Sequence, residues 1–406
     1  MKYVIIGSAF AGNKGAASML EAALQTIGER DSQAEFILLS MYPDSDRKLN
    51  SYKNLEILPA KPLFLGAILN PLALLYKILP PLRPILRKQQ HIRAISGSDV
   101  YLDQGGITFV DGREVFLIYN IASILPALFI GTPVVKCSQA MGPFKSGVNR
   151  FFAKLFLPHV AKIYARGQKT YESLQRLNLN NVELVADYAF SMNITKPEAK
   201  LAYKLLKKHG YDKKRQNIGV FPSEVLRKKV EKRGLDYEQI IADFIDTLTK
   251  DKNTSVYLLP HSQKSDIEKR HNNDIPVCSD IYNLVENKKS CSYITEPTSP
   301  QQLRYIIGQM DMNVVARFHA MVSSLAMEIP VLVTGWSHKY QEVLDMFELK
   351  DCAFDVRDLS TKKLVKQFDT SFAGRTKTQE LIKKNLKRVK DSSKKQADGV
   401  YEIAQK

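Results

Sequence analysis

Short apolar strands alternate with longer helical segments along most of the chain, and this alternation restricts the possible folds more than any other feature. Strand-like runs occur at 3–7, 35–41, 99–104, 133–139, 162–167, 182–187, 217–223, 255–261, 311–316 and 330–335. Helical patterns in the first half occupy 14–28, 113–130, 147–157 and 168–177. This rhythm is typical of parallel, doubly wound α/β sheets. Because 406 residues exceed one ordinary core, we predict two Rossmann-like domains facing each other across a cleft.

The composition changes near residue 197, where a polar and basic stretch separates the two series of strands. We therefore predict an N-terminal Rossmann-like domain over 1–196 and a basic linker over 197–216. A C-terminal Rossmann-like domain is predicted over 217–375, followed by polar helices over 376–406.

Cysteine content and charge narrow the class of protein. The cysteines are scattered, without a CxxC pair or a metal-like spacing, at Cys137, Cys278, Cys291 and Cys352. This indicates a reducing compartment and predicts no metal site. The apolar run at the start is too short for a signal peptide, so we expect a cytoplasmic protein. A net charge of +17 favours anionic partners, but no RNA-binding motif or basic recognition helix is present, so nucleic acid is not expected.

The segment 63–86, LFLGAILNPLALLYKILPPLRPIL, is unusually apolar. Asn70, Lys77, Arg83 and several prolines interrupt it, whereas a spanning helix needs about 20 predominantly apolar residues. Two interpretations remain: a hydrophobic helical lid packed on the N-terminal domain, or attachment to an anionic bilayer surface, aided by the basic residues of 87–93.

Two glycine loops follow predicted strands. In GSAFAGNKGA (7–16), the segment Gly12, Asn13 and Gly15 can turn backbone amides toward an anion at a helix N-terminus. In SGSDVYLDQGG (96–106), Gly105 and Gly106 do the same after another strand. Neither has the GxGxxG spacing of a dinucleotide site, and each glycine loop can equally be a simple tight turn.

The stretch ARFHAMVSSLA (316–326) places Arg317 and His319 between a predicted strand and a predicted helix. Ligands of open α/β sheets usually bind at such junctions. A guanidinium matches carboxylate or phosphate, and an imidazole can move a proton near neutral pH. This pair therefore predicts an anion clamp beside a proton donor, although a satisfied structural histidine is the alternative. His261 lies at another predicted strand end.

Taken together in their order, several segments resemble the polysaccharide pyruvyl transferase family. They are GNKG (12–15), SDVYLDQGG (98–106), ARGQKTYESL (165–174), VADYAF (185–190), the stretch 309–336 and HKYQEVLDMFEL (338–349). The most specific stretch runs from a strand into R-x-H-A, a helix, then small-x-P-V and a lysine, here Arg317, His319, Pro330 and Lys339.

The resemblance implies a fold similar to the GT-B glycosyltransferases and transfer of pyruvate from phosphoenolpyruvate onto sugar hydroxyls as a ketal. It implies His319 as the general acid, and Arg317, Lys339 and Arg166 as ligands of the donor; we add His261 from its strand-end position. Phosphoenolpyruvate is then a substrate, and no cofactor or metal is expected. The N-terminal domain would then bind the acceptor and the C-terminal domain the donor. The partners would be a cell-surface glycan acceptor or its lipid-linked form, and the inner membrane face through 63–86.

The chain departs from the family pattern at three places. One is Gly167, which follows Arg166 where an acid is usual. Ala16 and Ala17 stand where the family loop commonly carries acids. The segment 217–224 lacks the basic residue often found there, for which Arg227 or Lys228 could substitute. Two rival functions therefore stay open: a GT-B glycosyltransferase with a nucleotide-sugar donor, and a non-catalytic protein that kept the fold.

Overall fold

The computed structural model describes residues 1–263, 272–335 and 338–406, and every strand predicted from the sequence is present in it. The described residues form fifteen strands: β1 (Lys2–Ile6), β2 (Gly12–Asn13), β3 (Glu35–Ser40), β4 (Leu55–Pro59), β5 (Val100–Asp103), β6 (Ile107–Val110), β7 (Val134–Gly142), β8 (Lys162–Arg166), β9 (Val182–Val185), β10 (Gln216–Phe221), β11 (Thr254–Leu258), β12 (Ser262–Gln263), β13 (Cys291–Tyr293), β14 (Met312–Val315) and β15 (Val331–Val333).

The helices fill the intervals between strands, as the sequence predicts. They are α1 (Lys14–Arg30), α2 (Pro43–Leu49), α3 (Pro62–Phe64), α4 (Asn70–Ile78), α5 (Arg83–Leu86), α6 (Gln90–Ser96), α7 (Leu117–Ala122), α8 (Leu125–Ile130), α9 (Gly147–Phe156), α10 (Gln168–Gln175), α11 (Lys196–Lys208), α12 (Glu224–Glu231), α13 (Tyr237–Leu248), α14 (Ile275–Leu284), α15 (Pro300–Ile307), α16 (Phe318–Ala326), α17 (His338–Met346), α18 (Thr361–Ala373) and α19 (Arg375–Ala404). A π-helical turn, Leu65–Leu69, joins α3 to α4.

The chain forms two units, and neither is a single continuous piece of sequence. The first unit consists of Met1–Ala11, Ala16–Met192 and Lys390–Lys406. The second consists of Gly12–Gly15 and Asn193–Val389. Residues 197–216, predicted as a linker, contain most of α11 and belong to the second unit, and α19 contributes residues to both units.

Each unit is built on a parallel sheet with the strand order of a doubly wound fold. The first sheet has the order β4-β3-β1-β5-β7-β8-β9, with β6 added to β7. The second has the order β13-β11-β10-β14-β15. In both sheets the order reverses beside the first strand, between β1 and β5 and between β10 and β14. Such a reversal opens a crevice at the carboxyl ends of the strands, where ligands of these folds bind.

Burial explains why these strands read as continuous apolar runs. Strands β1, β5 and β14 are buried along almost their whole length, as expected for parallel strands covered by helices on both faces. Separate hydrophobic cores fill the two units. Local signals set the helix ends; for example, Ser299 and Gln302 form a reciprocal capping box at the start of α15.

The apolar segment 63–86 is helical. Leu65, Leu69, Ala73 and Tyr76 lie on one face of this helical run and are buried in the core of the first unit. Among the described residues, no single helix is both long and apolar enough to cross a membrane. The helical stretches Pro62–Ile78 and Pro80–Leu86 reach that length and composition only together, and the chain bends by 118° between them.

Candidate functional site

Arg317 and His319 lie at the point of strand-order reversal in the second unit. Arg317 follows β14 after one intervening residue, and His319 is the second residue of α16. Because β14 neighbours β10, the pair stands at the crevice that doubly wound sheets use for ligands. The predicted strand-to-helix junction is therefore confirmed.

A buried carboxylate holds the Arg317 guanidinium. Arg317 Nε donates to Asp274 Oδ2 at 2.8 Å, Nη2 donates to Asp274 Oδ1, and Nη1 donates to Asn272 Oδ1 at 2.9 Å. Asp274 is fully buried and also accepts the backbone N–H groups of Ser262 at 2.9 Å and Glu224 at 3.0 Å. The bidentate pair fixes the arginine in one orientation and ties the chain around residue 274 to the ends of β10 and β14.

The glycine loop 12–15 belongs to this same site. Strand β2 pairs antiparallel with β12, with Asn13 opposite Ser262, directly after His261. Asn13 Oδ1 accepts the backbone N–H of Gly15 at 2.9 Å. A Cβ atom placed on Gly15 would lie only 2.1 Å from Nδ1 of His319. The absence of a side chain at position 15 therefore leaves room for the imidazole.

His261 lies among four basic side chains. Its imidazole is buried, and burial lowers its pKa well below the ordinary value. The nearby His319, Arg317, Lys14 and Arg304 lower that pKa further, because each disfavours another positive charge. His261 is therefore neutral at neutral pH, and the positive charge of the cluster is carried by its neighbours.

Two members of this cluster, Lys14 and Arg304, were not predicted from the sequence. Lys14 begins α1, is only 5% exposed, and has a pKa lowered to about 8 by burial. Arg304 on α15 is also buried, and its Nε donates to Ser323 Oγ on α16 at 3.4 Å. A lysine inside the GNKG loop was a usable signal for the first residue. A lone arginine in an amphipathic helix offered none for the second.

The arrangement suits an anionic ligand. Lys14, Arg304 and Arg317 bring three cationic side chains into one partly dry region, and α16 begins beside them with the positive end of its helix dipole. The His319 imidazole, half-buried in the same cluster, can carry a proton to or from a bound molecule. Across 1–263, 272–335 and 338–406, no group of three or more His, Cys, Asp or Glu side chains is placed to bind a metal.

Lys339 is connected to the site through aromatic rings. Its ammonium lies 5.2 Å from the ring centroid of Phe318 and 5.7 Å from that of Tyr340. Tyr340 in turn donates from Oη to the carbonyl of Ala316 at 3.0 Å. Trp336, the last residue of the segment 309–336 that carries the family resemblance, lies outside the described residues.

Arg166, Gly105 and Gly106 belong to the first unit. Arg166 is buried, donates to Asp187 Oδ2 at 2.7 Å from Nη1, and to the carbonyl of Gly106 at 3.1 Å from Nη2. Gly105 lies where the order of the first sheet reverses; a Cβ atom on Gly7 would meet its backbone nitrogen at 2.6 Å. The glycines of this loop therefore permit a close approach of two backbones.

The structure shows the surroundings of the residues at which the chain departs from the family pattern. Ala17 is fully buried in the first unit, where an acid in its position would be desolvated. Arg227 donates from Nε and Nη2 to the two carboxylate oxygens of Glu224, at 2.9 Å each, and from Nη1 to Glu231 at 3.0 Å. Its guanidinium is thus already paired with carboxylates of its own helix.

Comparison with known proteins gives a family match and a set of structural neighbours. The family model described as polysaccharide pyruvyl transferase matches residues 13–338. UDP-GlcNAc 2-epimerase from Neisseria meningitidis bound to UDP-GlcNAc has a TM-score of 0.64 at 12% identity, covering 100% of both chains. Alr3699/HepE from Anabaena in complex with UDP and glucose has a TM-score of 0.55 at 12% identity, covering 100% of this chain and 97% of its own. A ugt transferase from Siraitia grosvenorii in complex with UDP has a TM-score of 0.57 at 11% identity, and the match covers 100% of both chains. At such identities these likenesses show the fold alone, and they confirm the predicted GT-B-like class.

Proposed function

Because the chain belongs to the polysaccharide pyruvyl transferase family and is therefore a transferase, we propose that it moves pyruvate from phosphoenolpyruvate onto hydroxyls of a cell-surface polysaccharide or lipid-linked glycan precursor. The observation that carries this proposal is the grouping of Lys14, Arg304, Arg317 and His319 around a neutral His261. Phosphoenolpyruvate carries a carboxylate and a phosphate, so its site needs several cations and one proton donor.

We assign the binding of the donor's two anionic groups to Lys14 and Arg317, aided by the positive end of the α16 helix dipole. Within the described residues, three of the five N–H groups of Arg317 reach Asp274 and Asn272, which fixes the plane of the guanidinium. His261 contributes from the centre of this cluster, Lys339 through its contact with Phe318, and Arg304 on α15 adds positive charge.

The reaction starts with a proton from His319 to the methylene carbon of phosphoenolpyruvate, which leaves the adjacent carbon electrophilic. One sugar hydroxyl attacks that carbon, the bond to the phosphate oxygen breaks, and a second hydroxyl closes the ketal. Of the two hydroxyl protons released, one restores His319 and the other leaves with the phosphate. General acid catalysis of this kind contributes roughly 10²–10⁴-fold to a rate.

Calorimetric titration of phosphoenolpyruvate tests the donor. We expect wild type to bind it, Arg317→Ala to lose binding, and His319→Ala to keep binding but lose release of inorganic phosphate in the presence of acceptor. Arg30→Ala is the matched control, because it removes an arginine from an exposed ion pair with Asp398 in the first unit. Binding of UDP in place of phosphoenolpyruvate would instead support the nucleotide-sugar alternative. Phosphate release by His319→Ala at the wild-type rate would exclude the proposed acid.

We further propose that the protein works at the inner face of the membrane and contacts it through 63–86. In support, the helical run that buries Leu65 and Tyr76 exposes Leu63 and Ile78, with exposed fractions of 82% and 58%. Deleting the segment would also remove core residues, so point substitutions test the contact better. Leu63→Glu and Ile78→Glu should weaken sedimentation with vesicles of phosphatidylcholine and phosphatidylglycerol. Wild type that fails to sediment with them would contradict the proposal.

A further inference from the structure

Large apolar side chains are exposed in two other segments of the first unit, outside 63–86. Val115 and Ile118, around the start of α7, are 82% and 81% exposed. On α9, Val148, Phe151 and Leu155 are also exposed. Their spacing of three and four residues puts them on one face of that helix, while Ala153 is buried on the other. Single exposed apolar residues are ordinary, but a continuous group marks an interaction surface.

Hydrogen bonds hold the segment before α7 and the start of α9 together. Asn149 on α9 donates from Nδ2 to the carbonyl of Phe109 at 2.8 Å and to Asp111 Oδ1 at 2.7 Å. Asp111 Oδ2 also accepts the backbone N–H groups of Lys145 at 2.6 Å and Ser146 at 3.2 Å. The loop that leads to Val115 and the first turn of α9 are thus neighbours.

The helical run 62–78 is joined to the same region. Asn70 on α4 donates from Nδ2 to the carbonyl of Ala122 at 3.2 Å. The Lys77 ammonium lies 5.7 Å from the ring centroid of Phe129 on α8. The three segments also follow the carboxyl ends of β4, β6 and β7, which are strands of one parallel sheet. Their first turns therefore lie toward the same edge of the sheet.

The charge of these segments is almost entirely positive, and Glu114, next to Val115, is the one carboxylate within 62–88, 113–118 and 147–155. No aspartate or glutamate occurs between Glu56 and Asp99, or between Glu114 and Glu172. Exposed lysines and arginines accompany the apolar residues in all the segments: Lys61, Lys77, Arg83, Arg87, Lys88, Arg113, Lys145, Arg150 and Lys154. Apolar side chains flanked by many cations, with a single carboxylate among them, are complementary to an anionic bilayer surface.

We infer that residues 62–88, 113–118 and 147–155 form one membrane-docking face of the first unit, whose occupant is an anionic lipid bilayer. The inference deepens the membrane contact proposed above and rests on it. It assigns to the first unit the task of meeting an acceptor that is anchored in the bilayer, at the sheet edge where doubly wound folds bind ligands.

Sedimentation of the full chain with vesicles tests this face. Ile118→Glu and Phe151→Glu should each bind about tenfold more weakly than wild type to vesicles of phosphatidylcholine and phosphatidylglycerol, because each loses an apolar side chain from the contact. Leu201→Glu is the matched control: Leu201 is 53% exposed on α11 of the second unit, and the charge change is identical. It should bind as wild type does.

The outcomes separate this inference from the proposed reaction. All three variants should bind phosphoenolpyruvate like wild type, so failure of donor binding in wild type counts only against the reaction. Vesicle binding of Ile118→Glu and Phe151→Glu equal to wild type would overturn the three-segment face and restrict the contact to 63–86. If wild type does not bind vesicles but self-associates in a concentration-dependent way, and Phe151→Glu abolishes that association, the membrane-docking face is overturned. The same surface would then bind a second copy of the chain.

Discussion

Gly15 and His319 lie so close that a side chain on the first would displace the ring of the second: a Cβ atom would stand 2.1 Å from Nδ1. The glycine is thus a spacer for the proposed acid. We expect Gly15→Ala to lower kcat for phosphoenolpyruvate-dependent phosphate release at least tenfold, within the range of a lost general acid, and to change the donor Kd less. Steady-state kinetics and calorimetry measure the two quantities.

Gly28→Ala is the control for this substitution, because Gly28 lies on the same helix with nothing within 4 Å of an added Cβ atom. It should keep wild-type activity and gain up to about 1 kcal/mol of stability from helix propensity. A Gly15→Ala enzyme as active as Gly28→Ala would mean that the ring position is unimportant.

Removal of the Arg317 guanidinium should cost stability as well as donor binding. Asp274 would be left buried without its counter-charge, and breaking a buried pair in this way costs about 3–5 kcal/mol. Urea unfolding of Arg317→Met should show a loss in that range. The double variant Arg317→Met with Asp274→Asn should recover part of it. If the double variant is no more stable than the single one, the stability loss does not come from an unpaired carboxylate.

Lys14 predicts a pH dependence of donor binding. Burial lowers its pKa to about 8, so in the free protein the ammonium is lost as the pH rises through that value. Phosphoenolpyruvate affinity should therefore fall above about pH 8 in wild type. Lys14→Met should bind about 10–100-fold more weakly at neutral pH, since a charge-assisted hydrogen bond is worth about 1.5–3 kcal/mol, and its affinity should not fall in this way.

The stability of the donor-free protein should change in the opposite direction. Between about pH 8 and 10.5 the unfolded chain holds a proton on Lys14 that the folded chain has released, so the contribution of Lys14 makes the protein more stable as the pH rises. Thermal unfolding of wild type and Lys14→Met over this range isolates the effect. Parallel curves for the two proteins would refute the assignment of this pKa.

His261 predicts sensitivity to acid. The pKa of His261 in the folded protein is lowered well below 6.5. Below pH 6.5 the imidazole therefore binds a proton in the unfolded chain but stays neutral in the folded chain. The contribution of His261 to the free energy of unfolding is therefore fully present above pH 6.5, and it falls by up to about 1.4 kcal/mol per pH unit below that value. His261→Asn should flatten the acid limb of a curve of unfolding free energy against pH. An unchanged slope would show that other groups govern acid denaturation.

Periodicity was sufficient to predict most of the architecture. Buried strands such as β1 and β14 are mainly apolar, and amphipathic helices fill the intervals between them, so their existence could be predicted from local pattern. The strands that were missed are short or lack such a pattern. Strand β2 is Gly12–Asn13 and is extended only because β12, far away in sequence, pairs with it.

The candidate site was only partly predictable for a similar reason. Arg317 and His319 are separated by one residue at a strand end, so their joint position could be predicted from sequence. The carboxylate that fixes Arg317 comes from residue 274, and the glycine that makes room for His319 comes from residue 15. Contacts between such distant positions are set by tertiary pairing, which no local pattern encodes.

The division of the chain into units has a consequence for biosynthesis. Residues Gly12–Gly15 leave the ribosome early, but β2 can pair only after β12 has been made. The first unit is completed even later, because it needs residues near the end of the chain. Ser392 Oγ accepts the backbone N–H of Ala186 at 3.0 Å, and Gln396 Nε2 donates to the carbonyl of Ala186 at 3.2 Å. A nascent chain therefore completes neither unit as its own segment emerges. Both units therefore stay incomplete until late in translation. Cutting the chain at residue 193 would leave neither unit with all of its segments in one fragment.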